Sequence, residues 1–573
     1  MDNKGRYVRP MPATSLSVFP PSTSGTARFF AIALGLLGAG GCMPLAIAKP
    51  AASAPAGPAA PASSEGLAVQ AKPVGAFVRQ PPSPTNEVRA TWVTTTANSA
   101  IASAADTAVT MRRLREIGLN TVYVETWKNG YTQYPSEVLK RVIGVDRRPN
   151  LQPQDPSDTP DQLKKPARDL LEETLIESHR NGLIYNAWFE YGFMAAHKST
   201  DNHLRRMKQD WLSRDKTGNE VATNGFVWMN PLHPEPRQFL LDLVIEAVDR
   251  YDLDGVQLDD RIVWPYINMG YDDYTKSVYA KEHGGKLPPD NERDPAWMRW
   301  RADKVNEYAK RFVTEVRAKR PGLIISLSPA VYPWCYEYYL LEWPKWAAWQ
   351  SPVLGTTGRG PVNATMWDEF IPQNYRFNYK AFETTWLDQI KHVNEMGNRR
   401  QADLLAGIRV VGDGPDSTWE DLKSSMDLMR KHGNGGSVHW FSRGVLDVYP
   451  KQLTEYYTAS GKANNPLLPA NWRPGSIVLA QSKTDGGQGA VSVTGGPVQS
   501  VWTGSAQATK PYQVIVRRTA SSPWAYVRDG AGKSVTVMSD AAGAVKVALA
   551  DAAVEVEVLI DRRPELQVQA AGK

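Results

Sequence analysis

The sequence predicts an α/β fold in which a (β/α)8 TIM barrel is followed by a C-terminal antiparallel β-sandwich domain. Between residues 85 and 465, short strand-like runs alternate with amphipathic helices, which is the pattern of a parallel sheet covered by helices. Eight strand-helix units follow one another there, the number that closes a barrel. From residue 466 to 573 the pattern changes to period-two alternation between turn residues, as in a small sandwich. No G-x-G-x-x-G follows a strand-like run, which argues against a doubly wound open sheet.

The eight barrel strands are predicted where aliphatic, β-branched and aromatic residues cluster in short runs. In a barrel of this kind the runs are parallel, so their C-terminal ends meet at one rim. The runs are VRATWVTT from Val88, NTVYVETW from Asn120, LIYNAWFE from Leu183, GVQLDD from Gly255, LIISLSPA from Leu323, EFIPQNY from Glu369, LLAGIRV from Leu404 and GSVHWFSR from Gly436.

Helices are predicted between these runs because apolar residues recur there at helical spacing. Leu422, Met426 and Met429 form one such face, and Ser417-Thr418-Trp419-Glu420 ahead of them fits a capping box. Two further faces are formed by Ala108, Met111, Leu114 and Ile117, and by Phe239, Leu240, Leu243, Val244 and Ala247.

The C-terminal domain is predicted from six alternating segments separated by Gly, Asp and Ser turns. We expect it to cap the barrel in preference to binding sugar on its own. The segments are SIVLAQS, QGAVSVTG, YQVIVRRT, SVTVMSD, AVKVALA and VEVEVLID.

Residues 1–48 are predicted to be a signal peptide, because Arg28 precedes an apolar run of the length found in export signals. Two endings are open: Ala46-Ile47-Ala48 fits a small-x-small cleavage site, and Gly40-Gly41-Cys42 resembles a lipobox that would leave Cys42 lipidated. Residues 49–84 are rich in Ala and Pro and are predicted to be a linker. The expected location is the bacterial cell envelope, as a periplasmic protein or as an outer-membrane lipoprotein attached through Cys42.

Composition excludes several classes of partner. The formal charge is +6 and no cluster of Lys and Arg occurs, so nucleic acid is not expected. The 8 His are scattered without H-E-x-x-H and there are only 2 Cys, so neither a metal nor another cofactor is expected. The 19 Trp and 23 Tyr favour a groove for flat ligands such as sugars. The sequence makes no prediction about oligomeric state.

Functional residues are predicted at the C-terminal ends of the barrel strands, where chemistry gathers in this fold. Four acids fall there, Glu125, Glu190, Asp259 and Asp260, and two such carboxylates are the requirement for cleaving a glycosidic bond. Aromatic, amide and basic residues at the same ends are predicted to bind a polysaccharide substrate. They are Trp127, Trp188, Trp264, Tyr332, Trp334, Gln373, Asn374, Tyr375, Arg409, His439 and Trp440.

The adjacent acids Asp259 and Asp260 cannot both point into the barrel from an ideal strand, because successive side chains alternate. Asp259 shares its side with Gln257 and is therefore predicted to face the interior, unless a bulge at the strand end reverses the order. Arg261 is expected to pair with Asp260 and to hold it ionised. For the proton donor we favour Glu190 over Glu125, because its neighbours are bulkier and would raise its pKa further.

Four motifs resemble the bacterial glycosyl-hydrolase-like family ten: ATWVTTTANS near Ala90, LREIGLNTVYVETWKNGYTQYPSEV from Leu114, DGVQLDD from Asp254 and DEFIPQNY from Asp368. The resemblance spans roughly residues 87–443. It implies a (β/α)8 glycoside hydrolase of the cell envelope that acts on O-glycosyl bonds. Some relatives cleave peptidoglycan glycan strands stripped of their peptides, and a strand-four acid in the motif from Asp254 is the catalytic residue implied.

Two alternative functions are left open by the sequence. The substrate is another amino-sugar polysaccharide in the first, and the protein is a non-catalytic glycan-binding protein of the envelope in the second. One departure from the family concerns the residues after the paired acids, where relatives usually have an aromatic run and this chain has Arg261-Ile262-Val263-Trp264-Pro265.

Overall fold

The computed structural model describes residues 81–151, 167–350, 365–396, 400–482 and 492–567. The predicted signal peptide, Cys42 and almost all of the predicted linker lie outside these residues. Within the described ranges, none of the helices combines the length and the apolar character needed to cross a membrane.

Eight parallel strands form the barrel: β1 Val88–Val93, β2 Thr121–Glu125, β3 Ile184–Phe189, β4 Gly255–Asp259, β5 Ile324–Ser328, β6 Glu369–Phe370, β7 Leu405–Arg409 and β8 Gly436–Trp440. Their order in the sheet is β6-β5-β4-β3-β2-β1-β8-β7. Parallel bridges from Phe370 to Leu404 and from Gln373 to Gly407 join β6 to β7 and bring the sheet round on itself. Each strand begins within one residue of its predicted run, and the predicted barrel is confirmed.

The helices surround this sheet and alternate with its strands. Predicted faces are buried in α1 and α5, although Ala108 of α1 remains partly exposed. The helices are α1 Ala104–Ile117, α2 Glu137–Ile143, α3 Leu170–Arg180, α4 His203–Met207, α5 Pro234–Arg250, α6 Asp273–Glu282, α7 Pro295–Lys319, α8 Trp334–Tyr339, α9 Trp343–Ala347, α10 Tyr379–Glu395, α11 Trp419–Lys431, α12 Pro450–Thr458 and α13 Arg563–Gln567.

The start of α11 differs from the predicted capping box by one residue. Thr418, not Ser417, is the N-cap, and its side chain accepts a hydrogen bond from the Asp421 amide. Thr418 Oγ1 also donates to the Asp421 carboxylate at 2.8 Å, so the side chain of the N-cap contacts the acid three residues later in a register shifted by one. Ser417 instead donates to the Arg409 carbonyl and links this helix to the end of β7.

The inside of the barrel is polar and tightly packed. Gln257 of β4 accepts a hydrogen bond from Trp92 Nε1 at 2.8 Å and donates to Ser326 Oγ at 2.9 Å, which joins three strands across the interior. Gly255 lies in the same inward row, and a Cβ at this position would overlap Asn186 Oδ1. Only glycine fits there, because the neighbouring strand already fills the space that a side chain would need.

The predicted antiparallel C-terminal domain is confirmed, and its described strands are β9 Ile477–Gln481, β10 Ser500–Ser505, β11 Pro511–Arg517, β12 Ala525–Tyr526, β13 Thr536–Met538, β14 Ala544–Leu549 and β15 Glu555–Ile560. Its order is β12-β11-β15-β9-β10-β14, with β13 paired to β11. Most of the predicted segment QGAVSVTG lies outside the described residues. The sequence missed β10, because its adjacent residues Val501 and Trp502 are both buried and break the period-two alternation.

A buried ion cluster joins this domain to the N-terminal rim of the barrel. Arg473, which precedes β9, contacts Asp252 and Asp254 at 2.9 and 2.8 Å, and Trp472 Nε1 donates to Asp254 at 2.7 Å. His179 of α3 lies 3.0 Å from the other oxygen of Asp254. Burial acts to raise the pKa of Asp254, but Arg473 and His179 outweigh it and hold the pKa well below its usual value. Asp254, the residue before β4, is thus bound to the second domain through Arg473 and Trp472.

Candidate active site

The acids Asp259 and Asp260 end β4 at the opposite rim from that cluster. Asp259 lies on the same side of the strand as Gln257, and its oxygen accepts a hydrogen bond from Gln373, which enters from the segment after β6. It therefore faces the interior, in agreement with the alternation argument. Asp260 follows the last residue of β4 and is released from the strict alternation of the strand, so that both carboxylates reach the mouth of the barrel.

Asp259 is held by several donors. Its Oδ1 accepts from the amide of Asp260 at 2.8 Å and from Gln373 Nε2, and its Oδ2 lies 2.6 Å from Arg261 Nη1. Arg261 also forms the expected ion pair with Asp260, with Nη1 3.7 Å from Oδ1, but Asp259 is its closer partner. The guanidinium folds back across the turn to the residue two positions earlier.

Asp260 has no comparable set of donors. Its Oδ1 is buried, with no hydrogen-bond partner among the described residues. Burial raises the pKa of Asp260, and the charge of Arg261 offsets only part of this effect. Burial raises the pKa of Asp259 well above its usual value, with Asp260 and Glu190 reinforcing the rise and Arg261 offsetting only part of it. The pair therefore tends to retain a proton. The upward shift of the pKa is stronger at Asp259, but hydrogen-bond donors occupy both of its oxygens, which favours placing the proton on Asp260.

A second pair of acids is bridged by one lysine. Lys128 Nζ lies 2.9 Å from Glu125 Oε2 and 3.0 Å from Glu190 Oε2. Arg261 Nη1 also donates to the Glu190 carbonyl at 2.9 Å and lies 3.8 Å from its carboxylate. Cations and carboxylates thus alternate from Glu125 to Asp259 across the mouth.

The two glutamates differ in their protonation tendencies. Burial acts to raise the pKa of Glu125, but Lys128, Arg148 and a hydrogen bond from Thr95 outweigh it, so the net pKa is lowered. Burial raises the pKa of Glu190, and Lys128 offsets only part of the rise. The pKa of Glu190 is therefore shifted toward the range of a proton donor and that of Glu125 is not.

A narrow recess opens beside Asp260 and Arg261. Its other walls come from the hairpin of strands Met194–His197 and Phe226–Trp228 and from the end of α8. None of these residues was predicted from the sequence, because they lie in segments that follow the barrel strands and not at the strand ends themselves. They are Met194, Asn224, Phe226, Trp228 and Tyr339.

Aromatic rings form a cluster over the centre of the barrel. The predicted substrate-binding residues Trp188, Tyr375 and Trp440 pack around Trp92, which was not among the residues predicted from the sequence. The ring centroids of Trp440 lie 5.8 Å from Trp92, 6.0 Å from Trp188 and 5.5 Å from Tyr375. Tyr375 and Trp440 are half-buried and contribute the accessible faces of this cluster.

The family model described as Glycosyl hydrolase-like 10 matches residues 87–409, more than half of the chain. The chain belongs to the glycosyl hydrolase-like 10 family. It is 26% identical over 278 residues to Glycosyl hydrolase YngK of Bacillus subtilis (strain 168), which covers 45% of this chain and 48% of that protein. It is 24% identical over 225 residues to Glycosyl hydrolase DigH of Escherichia coli (strain K12), with coverage of 38% and 45%. The chain spans about half the length of these curated relatives.

Among solved structures, the PgaB (BpsB) glycoside hydrolase domain from Bordetella bronchiseptica matches with a TM-score of 0.46 and 11% identity, covering 65% of this chain and 98% of that domain. In this glycosyl hydrolase-like 10 protein, the family match runs from the residue before β1 to the last residue of β7. It includes all four candidate acids and Arg409, whereas β8 and Trp440 lie beyond it.

Four of the predicted substrate-binding residues instead pack within the body of this glycosyl hydrolase-like 10 protein. Trp127 donates to the Gly192 carbonyl and packs on Phe239 of α5, and Trp264 donates to the Met269 carbonyl and packs on Trp297. Asn374 is buried and donates to the Phe382 carbonyl in α10. His439 points outward from β8 to Tyr457 of α12. These residues lie near strand ends, but their side chains point into the body of the protein and not into the mouth of the barrel.

The remaining predicted residues lie around the rim. The Tyr332 main chain exchanges hydrogen bonds with Gln389 of α10, and Trp334 packs on Tyr339, which lines the recess. Gln373 contacts Asp259 directly, and Arg409 ends β7 on the far side of Gln373. Glu125, Glu190, Asp259, Asp260, Trp188, Gln373, Tyr375, Arg409 and Trp440 are the predicted site residues gathered at the mouth.

Protonation of His439 provides a pH test of this packing. Complete burial lowers the pKa of His439 to about 4, from 6.5 in an exposed chain. Between these pH values the unfolded chain binds a proton that the folded protein does not, so stability is expected to fall as the pH is lowered. Since one pKa unit corresponds to about 1.4 kcal/mol, the loss should approach about 3 kcal/mol at pH 4.

Urea unfolding of the parent and of His439→Gln at pH 7, 6, 5 and 4 measures this contribution. The carboxylates are common to both proteins. The difference between the two plots of unfolding free energy against pH therefore isolates the contribution of the histidine. An equal dependence of the unfolding free energy on pH in the two proteins would contradict the lowered pKa of His439.

Proposed function

We propose that this protein is a glycoside hydrolase of the bacterial cell envelope that cleaves peptidoglycan glycan strands stripped of their peptides. The observation that carries the proposal is the pair Asp259 and Asp260 at the mouth of the barrel, with one carboxylate held by donors and the other facing a recess without them. Membership of a glycosyl hydrolase-like family supports the reaction class.

Asp260 acts as the general acid in this proposal. It protonates the glycosidic oxygen as the bond from that oxygen to the anomeric carbon breaks, and the bonding electrons leave with the oxygen. Asp259 remains ionised through Arg261 and Gln373 and stabilises the positive charge that develops on the sugar ring. Water then adds to the anomeric carbon and gives up a proton, which restores Asp260.

The second pair of acids supports this arrangement from the side. Lys128 neutralises Glu125 and fixes Glu190 near Arg261. Since Arg261 also touches Asp259, the orientation of the ionised aspartate depends on the whole row of charges. The half-buried rings of Tyr375 and Trp440 provide faces on which sugars can stack.

The substrate and the location rest on two expectations from the sequence. The first is the family resemblance, which implies denuded peptidoglycan, and the second is the export signal in residues 1–48. Attachment to the membrane through a lipidated Cys42 remains part of the proposal.

The test is to incubate the full chain with glycan strands freed of peptides by an amidase and to identify the products by mass spectrometry. Poly-N-acetylglucosamine serves as the competing amino-sugar polysaccharide. Fragments should appear from the denuded strands, and should be lost with Asp260→Asn but retained with Asp201→Asn, whose carboxylate is exposed in an ion pair with Arg206.

Three outcomes would contradict the proposal in different ways. Fragments from poly-N-acetylglucosamine alone would change the substrate, and binding without fragments would make the protein a glycan-binding protein. Fragments that persist in both Asp259→Asn and Asp260→Asn would assign the reaction to other residues.

A further inference from the structure

Arg409, the last residue of β7, carries a buried positive charge that no carboxylate in the described part of the chain neutralises. The residue is only 6% exposed. Its Nη2 donates to the Asp413 carbonyl at 2.8 Å, and its Nη1 lies 3.4 Å from Ser417 Oγ. Both acceptors are neutral groups. Burial lowers the pKa of Arg409, and the charges of Asp416 and Asp413 oppose this effect. The net pKa is still lowered, so these two carboxylates do not fully offset the cost of burying the cation.

The guanidinium also has unused donors. It carries five N–H groups, and the two hydrogen bonds above occupy two of them. Buried cations in proteins are normally paired, because leaving a charge without a partner is costly. An anion supplied by a ligand at this rim would complete the coordination of Arg409.

Phe377 covers the same guanidinium from outside. The Arg409 carbon Cζ lies 4.5 Å from the centroid of the Phe377 ring, and the phenylalanine is 58% exposed. A Cβ on Gly414 would lie 3.0 Å from Phe377 Cε1, so the glycine leaves room for the ring in this position. An exposed aromatic face beside a bound cation is a surface on which a sugar ring can stack while its charged substituent reaches the arginine.

This surface is continuous with the catalytic acids. Arg409 is paired in register with Trp440 of β8, and Trp440 packs on Tyr375. The phenol of Tyr375 lies within the electrostatic influence of Asp259 and Asp260, which reinforce the rise in its pKa caused by burial. These contacts lead from the acids through Tyr375 and Trp440 to Arg409, along the part of the rim that further sugars of a bound glycan would follow.

We propose that Arg409 and Phe377 form a subsite that binds the free carboxylate of an acidic sugar in the glycan substrate. This inference rests on the proposed function and extends it to the recognition of the substrate. In peptidoglycan, alternate sugars carry a lactyl ether whose carboxyl group forms an amide when the peptide is attached. Removal of the peptide exposes that carboxylate, and Arg409 thereby selects strands without peptides.

Binding measurements without turnover test the subsite. Asp260→Asn serves as the parent, and calorimetric titrations use two forms of the same denuded glycan, one with free carboxylates and one with carboxylates converted to methylamides. Since a charge-assisted hydrogen bond is stronger than a neutral one, the parent should bind the free form about tenfold or more tightly than the methylamide. Adding Arg409→Gln should abolish this preference, and adding Arg409→Lys should keep part of it.

A matched control is Arg443→Gln in the same parent. Arg443 is a second rim arginine over a phenylalanine ring, but it lies 3.6 Å from the Asp416 carboxylate and so already has an ion-pair partner. It should leave the preference for the free carboxylate unchanged. Phe377→Ala, at an exposed position, should weaken the binding of both glycans by a similar factor.

The outcomes separate the subsite from the proposed function. Equal affinity of the parent for both glycans, or an equal loss on both in Arg409→Gln, would overturn the subsite. If the unmodified protein cleaves neither form but the parent prefers the free carboxylate through Arg409, the proposed hydrolysis fails and the subsite stands. If it cleaves both forms at equal rates, the hydrolysis stands and the subsite fails.

Discussion

Asp260→Asn is expected to lower kcat on denuded glycan by about 10²–10⁴-fold, the range that a positioned general acid contributes. An amide has the shape of the carboxyl group but cannot donate the proton that the departing sugar oxygen requires. The substitution preserves the size and shape of the side chain, so KM should change far less than kcat. Steady-state rates from released reducing ends measure both constants.

The leaving group distinguishes loss of the acid from general damage. An aryl glycoside with a strongly acidic phenol needs little protonation, so Asp260→Asn should retain most of its activity on that substrate. Asp259→Asn should lose activity on both substrates, because it removes the charge that stabilises the sugar cation. Equal losses of Asp260→Asn on the two substrates would remove Asp260 from the role of proton donor.

Arg473→Met is expected to lower the free energy of unfolding by about 3–5 kcal/mol, the cost of breaking a buried ion pair. The change leaves Asp252 and Asp254 buried without their guanidinium, and it removes the donors that Arg473 supplies between the two domains. Urea unfolding, followed by tryptophan fluorescence at neutral pH, measures the loss.

Arg528→Gln is the matched control for this prediction. It breaks an ion pair across the same domain boundary, with Glu172, in which the arginine is 42% and the glutamate 12% exposed, so a loss of about 1–2 kcal/mol, smaller than that of Arg473→Met, is expected. The double variant Arg473→Met with Asp254→Asn should recover part of the loss, since one unpaired charge disappears. Equal stability of Arg473→Met and the parent would show that the two aspartates find other partners.

The barrel was predictable because each strand carries its own signal. All eight runs, from Val88 to Gly436, combine apolar residues with β-branched or aromatic ones and alternate with helical patterns, so local sequence and global fold agree. The register of α11 and the strand β10 were missed for local reasons. At the start of α11, Thr418 competes with Ser417 for the N-cap position. In β10, two consecutive side chains are buried, which breaks the period-two pattern.

The candidate site was predictable only in part, because a strand end identifies a rim but not the direction of each side chain. Alternation gave the correct side for Asp259, yet His439 at the corresponding end of β8 faces outward. The partner of Arg261 depends on how a turn folds back, which spacing along the chain does not determine. The recess residues Asn224 and Tyr339 come together only through tertiary structure.

The position of β8 has a practical consequence for work with fragments of this protein. The family match ends at Arg409, but β8 lies between β7 and β1 and pairs with both. A fragment cut at the end of the match would leave two bare strand edges, each a row of unpaired amides and carbonyls that invites pairing with another chain. Precipitation of such a fragment would reflect an open sheet, and the shortest piece worth expressing must extend through Arg473 and the domain that follows it.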